Sequence, residues 1–288
     1  MPLVADIHFH YRLAIEAIER GADKIRLNPG NIYRQKEIES VVRALKMAGV
    51  PLRVGVNSGS VRNHNCRRMS MADKLVAGAQ DYLRKIEKLK FYNLVISLKA
   101  SNVMDTILAY RKMAKFCDYP LHLGVTATGL PLAGTVKSSI AIGVLLSEGI
   151  GDTIRISLTD TALQEVKAAK AVLEALGLRS FGPEIISCPT CGRCEVDLVK
   201  AIKDLEIRLA TIPACRSGRG YRLSTRPLKL AVMGCLVNGP GEAKEADLGI
   251  AFGEKEGLLF KKGKAVKKVS YDECAATLLA ELNQLKNN

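Results

Sequence analysis

From residue 2 to about residue 177 the chain alternates short apolar runs with longer stretches whose apolar positions recur at helical spacing. The runs are "PLVADIHF", "DKIRLNP", "PLRVGVN", "NLVISLK", "LHLGVTA" and "DTIRISL". A helix-like segment follows each, beginning near Tyr11, Gln35, Met71, Asn102, Thr135 and Ala162. Short strands each followed by a helix predict parallel βαβ units, and six are visible. Polar residues choose between a barrel and an open doubly wound sheet. Asp6 and His8, Arg26 and Asn28, Asn57, Lys99, Thr126 and Thr128, Arg155 and Ser157 all sit late in their strands or just after. Strand ends on one rim of a barrel converge on a single pocket. A doubly wound sheet instead concentrates its ligand at one switch point and carries a glycine-rich phosphate loop, which this chain lacks. The expected fold is α/β, a TIM-type (β/α)8 barrel with six of its eight units. Because the first strand begins at residue 2, the deficit falls at the amino end: the chain is either a truncated form or an architecture short of a full barrel. A barrel missing a quarter of its staves leaves strand edges unpaired.

Near "GLRSFGP" (177–183) the repeat stops, which divides the chain into a partial barrel over 1–180 and a smaller α/β domain over 181–288. The second part reads as a strand "PEIISCP", a helix from about Arg193 to Leu209 and a basic loop "TIPACRSGRGYRLSTRP". Then come the strand "LKLAVMG", the turn-rich "CLVNGPGEAKEA", short strands "DLGIAF", "GLLF" and "KAVKKV", and a helix from about Tyr271 to Leu285.

Composition adds bounds rather than a function. At 288 residues and 48% hydrophobic side chains, the chain can bury a large core. The start "MPLVADIHFHYRL" has Asp6 and no basic leader, and no apolar stretch approaches the roughly 18 residues of a membrane span. A soluble, unexported, cytoplasmic protein is expected, and its eight cysteines are then reduced thiols rather than a disulfide framework. Lys and Arg exceed Asp and Glu by 14. Most of them lie along helical faces among acids and apolar positions, as in "RKIEKLK", with no nucleic-acid motif, so they read as solvated faces. Only the strand-end cations ask for a charged ligand.

The segment "SCPTCGRCEVD" (187–197) places three thiols in eleven residues. Cys188-Pro-Thr-Cys191 follows a strand and is expected to open a helix, whose amide N–H groups favour thiolates. A thioredoxin-like pair would use this spacing but leaves Cys194 unexplained. A structural zinc site needs four ligands, usually two close pairs, and only a lone Cys235 is left to complete it. An iron–sulfur cluster accepts close thiolates plus one distant cysteine. The tie between zinc and cluster is broken by "MGCLVNGPGEAKEADLGIA": Cys235 ends a buried strand, and Asn238-Gly239-Pro240-Gly241 lets backbone approach a bulky ligand. Glu242 follows, and a hard carboxylate on a soft cluster iron would be a weakly held, exchangeable corner.

With these residues in view, the chain resembles the 4-hydroxy-3-methylbut-2-en-1-yl diphosphate synthase family of the non-mevalonate isoprenoid pathway. The resemblance runs its whole length through "ADIHF", "RLNPGN", "GVNSGS", "SLKAS", "GTVKSS", "GIGDTIRISL", "SCPTCGR" and "MGCLVNGPGEA". It implies a TIM barrel joined to a cluster domain, working as a homodimer. The implied reaction is a two-electron reductive ring opening of 2-C-methyl-D-erythritol 2,4-cyclodiphosphate, with loss of a hydroxyl as water and electrons from flavodoxin or ferredoxin. By the resemblance, Cys188, Cys191 and Cys235 would hold a 4Fe-4S cluster, one per chain, with Glu242 as displaceable fourth ligand. Arg26, Arg53, Lys99 and Arg155, with Asn57 and Ser157, would bind the cyclic diphosphate, which suits guanidinium forks and a lysine point charge. Asp6 and His8 would lie at the pocket wall as hydrogen-bond or proton partners. Ala127 stands where the family leads one to expect a glutamate, a proton handler, so that role falls to a neighbour such as Asp6, His8 or bound water.

Cys194 shares a helical face with Cys191 in this reading and competes with Glu242, which is favoured because a fourth thiolate would close the reactive corner. Cys66, Cys117 and Cys274 read as ordinary small residues, and Cys215 lies in the basic loop. Arg216, Arg219 and Arg222 of that loop are expected to dock an acidic electron carrier. The rivals are a zinc-stabilised binding module or inactive truncated homologue, and a radical enzyme cleaving S-adenosylmethionine, whose cluster thiolates would instead lie in the barrel's first loop.

Overall fold

Six strand–helix units follow one another in the first part of the chain. They are β1 (Val4–Ile7) and α1 (Tyr11–Glu19), β2 (Lys24–Leu27) and α2 (Gln35–Ala48), β3 (Leu52–Asn57) and α3 (Met71–Glu87), β4 (Leu94–Lys99) and α4 (Val103–Ala114), β5 (His122–Leu123) and α5 (Pro131–Ser147), and β6 (Thr153–Ile154) and α6 (Ala162–Ala175). The computed structural model describes residues 1–61, 69–211, 222–223, 226–254 and 256–287. Cys66 and Cys215 lie outside them, as do the side chains of Arg216, Arg219 and Arg222.

The strands β1 to β4 form a parallel sheet in sequence order, β5 pairs in parallel with β6, and a bridge from Ile96 to Leu121 joins the two sets. The ladder of β5 and β6 is shorter than the apolar runs predict, yet the backbone stays alongside: Arg155 N donates to Leu123 O at 2.9 Å and Thr126 N to Ala100 O at 3.0 Å.

Register decides which side chains share a face. Asp6 lies opposite Arg26, Arg26 opposite Arg53, Asn57 opposite Lys99, and His122 opposite Thr153. Since side chains alternate along a strand, one face carries these polar residues. The other carries Ile25, Leu27, Leu52, Val54, Val56, Ile96, Leu98, Leu121 and Leu123, all buried against the helices. From the helices come Ile38, Val41 and Leu45 of α2, Leu75, Ala79 and Ile86 of α3, and Ile107 and Met113 of α4. The core of this unit is therefore the layer between strands and helices.

Local signals place the helices. Ser70 Oγ accepts from Asp73 N to start α3, Asn102 Oδ1 accepts from Asp105 N to start α4, and Gly49 closes α2 with a φ of 68°. The fifth helix begins at Pro131, earlier than Thr135, because proline in the first turn forfeits no helical hydrogen bond.

Residues Met1–Leu176 and Gly177–Asn288 form two compact units. The second contains β7 (Glu184–Ser187), α7 (Leu198–Thr211), the pair β8 (Arg222–Leu223) and β9 (Arg226–Pro227), β10 (Lys229–Met233), α8 (Gly239–Glu245), β11 (Leu248–Phe252), β12 (Glu256–Lys261), β13 (Lys264–Ser270) and α9 (Cys274–Asn287). Its main sheet has the order β13-β12-β11-β10-β7, with β10 parallel to both β7 and β11, and β12 and β13 antiparallel. Alternation again sorts the faces: Leu230, Val232, Ile250 and Phe252 pack with Leu198 and Leu205 of α7 and Leu278 and Leu282 of α9. Ala231, Met233 and Ala251 face Ala243 of α8 and neighbouring Ala246. Small residues let α8 sit close; a Cβ on Gly249 would lie 2.4 Å from Ala243 O. Among the described residues no helix is long and apolar enough to cross a membrane.

Two local readings are corrected. The helix expected from about Arg193 starts at Leu198, so Cys188 to Cys194 form turns rather than a helical opening, and Cys191 and Cys194 share no helical face. The "NGPGEAKE" segment, expected as turns, is the helix α8, with proline in its first turn and Glu242 there as well.

Candidate active site

In the first unit, the polar face gathers Asp6, Arg26, Arg53, Asn57, Lys99, Arg155 and Ser157 around one small cavity of about 30 Å³, together with Ser97, Val125 and Thr126. Every strand from β1 to β4 contributes at least one of them, and the chain following β5 and β6 contributes the rest. Arg26 is 5% exposed and doubly held: one terminal nitrogen donates to Asp6 Oδ1 and the other to Gly55 O, each at 2.8 Å. Burial, and then the Arg26 charge, pull the Arg53 guanidinium below its ordinary value. Burial, followed by the charges of Arg155, Arg53 and Arg26, lowers Lys99 from 10.5 to about 7. The cavity thus gathers four cations and one carboxylate, with Arg26 and Lys99 buried, Arg53 half-buried, and Arg155 and Asp6 open to solvent.

Two glycines make room for it. A Cβ on Gly55 would lie 2.4 Å from Arg26 Nε, and one on Gly124 would lie 2.7 Å from Arg155 O and 3.3 Å from Lys99 Cε. His8 is not part of the lining. Its side chain is 60% exposed and its Nε2 lies 4.0 Å from Asp6 Oδ1, at the rim. Ala127 is exposed in a left-handed conformation with a φ of 53°, so its position follows a backbone kink after β5. Ser97 and His122 were not singled out from the sequence. Ser97 is the residue two before Lys99 on β4, so strand alternation was the available signal. His122 is buried, with Nδ1 2.9 Å from Thr153 Oγ1; burial and then the Lys99 charge hold its pKa at about 2, and it is neutral.

In the second unit, Cys188, Cys191, Cys235 and Glu242 line one cavity of about 300 Å³ with Arg193, Asn238 and Gly239. Cys188 directly follows β7, Cys191 lies in the turn after it, Cys235 lies two residues past β10 and Glu242 is on α8. Gly234 N donates to Cys188 Sγ at 3.3 Å. Backbone N–H groups of Asn238 and Val237 stabilise the Cys235 thiolate and lower its pKa, and the Arg193 backbone and side chain do so for Cys191. Successive N–H groups aimed at one sulfur form an anion-stabilising nest. Arg193 was overlooked in the sequence, where it stands between two cysteines and carried no separate signal. Cys194 is apart from this wall: its Sγ donates to Val196 O at 3.3 Å, and a Cβ on Gly234 would lie 2.3 Å from that Sγ. Among the described residues no three His, Cys, Asp or Glu side chains converge as they would on a single metal ion. The donors instead border a space several atoms across, with thiolates favoured by amides and one exposed carboxylate. That set fits an iron–sulfur cluster in size and in donor chemistry.

The GcpE TIM-barrel domain model matches residues 1–170, and the GcpE C-terminal domain model matches residues 184–284. The chain belongs to the GcpE family. A GcpE relative in Lawsonia intracellularis is 49% identical over 288 residues, which cover 99% of this chain and 77% of the relative. One in Caldanaerobacter subterraneus is 50% identical over 287 residues, covering 99% of this chain and 78% of the relative. Both are named 4-hydroxy-3-methylbut-2-en-1-yl diphosphate synthase (flavodoxin). Among solved structures, a D-psicose 3-epimerase of Clostridium cellulolyticum superposes with a TM-score of 0.37 and 12% identity over 82% of this chain and 86% of its own, too loose a likeness to argue from.

Proposed function

We propose that this GcpE chain is an iron–sulfur oxidoreductase that opens the ring of 2-C-methyl-D-erythritol 2,4-cyclodiphosphate by two-electron reduction and releases a hydroxyl as water, forming 4-hydroxy-3-methylbut-2-enyl diphosphate. The observation that carries the reading is the cavity bordered by Cys188, Cys191, Cys235 and Glu242, in a chain whose other unit gathers Arg26, Arg53, Lys99 and Arg155 on one pocket. The names of its relatives, nearly half identical over almost the whole chain, support it.

The residues divide the work by chemistry. Arg53, Lys99 and Arg155 supply the charge that holds the diphosphate, and Asp6 fixes the Arg26 guanidinium beside them. Asn57 and Ser157 hydrogen-bond the ligand from the rim. Cys188, Cys191 and Cys235 would hold a four-iron cluster, and Glu242, exposed on α8, would be the exchangeable oxygen ligand. When bound, such a cluster delivers electrons singly and offers an iron as Lewis acid to a substrate oxygen. Flavodoxin, or ferredoxin, supplies the electrons, and the basic stretch of sequence that holds Arg216, Arg219 and Arg222 receives that acidic carrier. The working form is a cytoplasmic homodimer.

Anaerobic reconstitution tests the cluster. We expect a brown protein with iron and sulfide in equal amounts, and loss of most bound iron and all turnover in Cys188→Ser, Cys191→Ser and Cys235→Ser. The Cys194→Ser protein keeps its iron, because Cys194 stands off the cavity wall. A colourless native protein holding one zinc rejects the reading in favour of the zinc-stabilised module.

A further inference from the structure

The pocket of the first unit contains more positive charge than its surroundings balance. Its lining carboxylate, Asp6, is engaged with Arg26, which leaves Arg53, Lys99 and Arg155 around about 30 Å³ with no ion pair among the described residues. The groups that face Lys99 can be taken element by element: Asp6 on β1, Arg26 on β2, Arg53 on β3, His122 on β5 and Arg155 after β6, with uncharged Ser97 and Asn57 between. His122 is neutral and adds no counter-charge. A guanidinium does not give up its proton in a protein, whereas a buried lysine does. When the pocket is free, relief of the crowding therefore falls on Lys99, in keeping with its lowering to about 7. The missing side chain of Gly124 lets the Lys99 stem run along the cavity wall.

A bound cyclic diphosphate reverses the balance. Each of its phosphorus atoms is a diester-like centre with one ionised oxygen, and it lacks the second ionisation near pH 6 that a phosphate monoester has, so the ligand has no proton to exchange near neutrality. Its negative charge then favours the ammonium form of the nearest group able to change. We propose that binding of the cyclic diphosphate is coupled to uptake of one proton from solvent, held at Lys99 Nζ. This inference rests on the substrate class proposed above.

Isothermal titration of the full chain with 2-C-methyl-D-erythritol 2,4-cyclodiphosphate, without reductant so that nothing turns over, measures it. At pH 8, titrations in Tris and in HEPES should differ in heat by the amount that corresponds to close to one proton taken up. Above pH 7 the apparent affinity should fall about tenfold per pH unit. In Lys99→Arg the buffer dependence should vanish and the pH profile flatten. Equal heats in the two buffers for the native chain, or undiminished uptake in Lys99→Arg, overturn the inference, and the native measurement decides even if the variant misfolds. Binding with no uptake leaves the diphosphate reading standing; absence of binding at pH 6, where all four cations are charged, overturns both.

Discussion

Gly55 stands where the Arg26 side chain crosses the sheet, and a methyl there would meet Nε at 2.4 Å. Gly55→Ala should therefore push the guanidinium off both Gly55 O and Asp6. Each such charge-assisted bond is worth about 1.5–3 kcal/mol to the fold, so losing both should lower the thermal transition by several degrees or more, and cyclodiphosphate affinity should drop about tenfold if the displaced guanidinium takes one charge-assisted contact away from the ligand. Calorimetric titration beside a melting curve checks both. At this scale the sequence was legible wherever a residue's role follows from strand alternation. Asp6, Arg26, Arg53, Asn57, Lys99, Arg155 and Ser157 could be placed on one cavity because strand ends of parallel units face the same way. Cys194 was not legible, since its side depends on whether the thiol segment is helix or turn, and three-residue spacing fits both. The fold answers through Gly234, whose bare Cα leaves room for the Cys194 sulfur. His8 reads like Asp6 in the sequence but sits beyond the strand end at the rim.

Among the elements, α4 is fastened to the sheet by a polar latch. The fully buried Tyr110 hydroxyl accepts from Leu98 N at 3.0 Å and donates to His122 O at 2.5 Å, which ties the helix to β4 and β5 at once. Burial raises its pKa to about 12. Tyr110→Phe would strand a buried N–H and a buried carbonyl together, and should cost about 2–6 kcal/mol at about 1–3 for each group. Urea unfolding followed by far-UV dichroism measures this, and an unchanged midpoint would rule out the latch. The six parallel strands could be read from the alternating apolar runs, and the helix starts at Tyr11, Gln35, Met71 and Ala162 from where helical spacing begins. The start of α7 and the existence of α8 could not. The glycines and proline of "NGPGEAKE" suggest turns in isolation, and α8 forms because Ala231, Gly249 and Ala251 offer it a flat apolar seat contributed by other strands.

At the level of the whole chain, the two units own separate cores, and the proposed function gives their candidate sites different ligands. Differential scanning calorimetry should resolve two transitions, one raised by the cyclic diphosphate and the other by iron loading. One merged transition that both ligands shift equally would contradict this. The first transition should also depend on pH in a definite sense. Lys99 is lowered from 10.5 to about 7, so above pH 7 the unfolded chain binds more protons than the folded one, and stability rises with pH there. Between pH 7 and 9 the ligand-free transition should therefore move upward while ligand affinity moves downward. His122, lowered from 6.5 to about 2, acts in the same sense over more acidic solution, so this unit should weaken as pH falls below 6.5.

The inner wall of the first unit carries charge, amide and hydroxyl where a TIM barrel ordinarily stacks branched apolar residues. Its cohesion consequently resides in the layer between strands and helices, where Ile25, Leu52, Val54, Ile96 and Leu98 are sealed from water. Adhesion and chemistry are thus assigned to opposite surfaces of the same strands. Apart from the tightly packed Gly55 and Gly124, an inward position can be exchanged for a new function without drawing on the packing that keeps the chain folded.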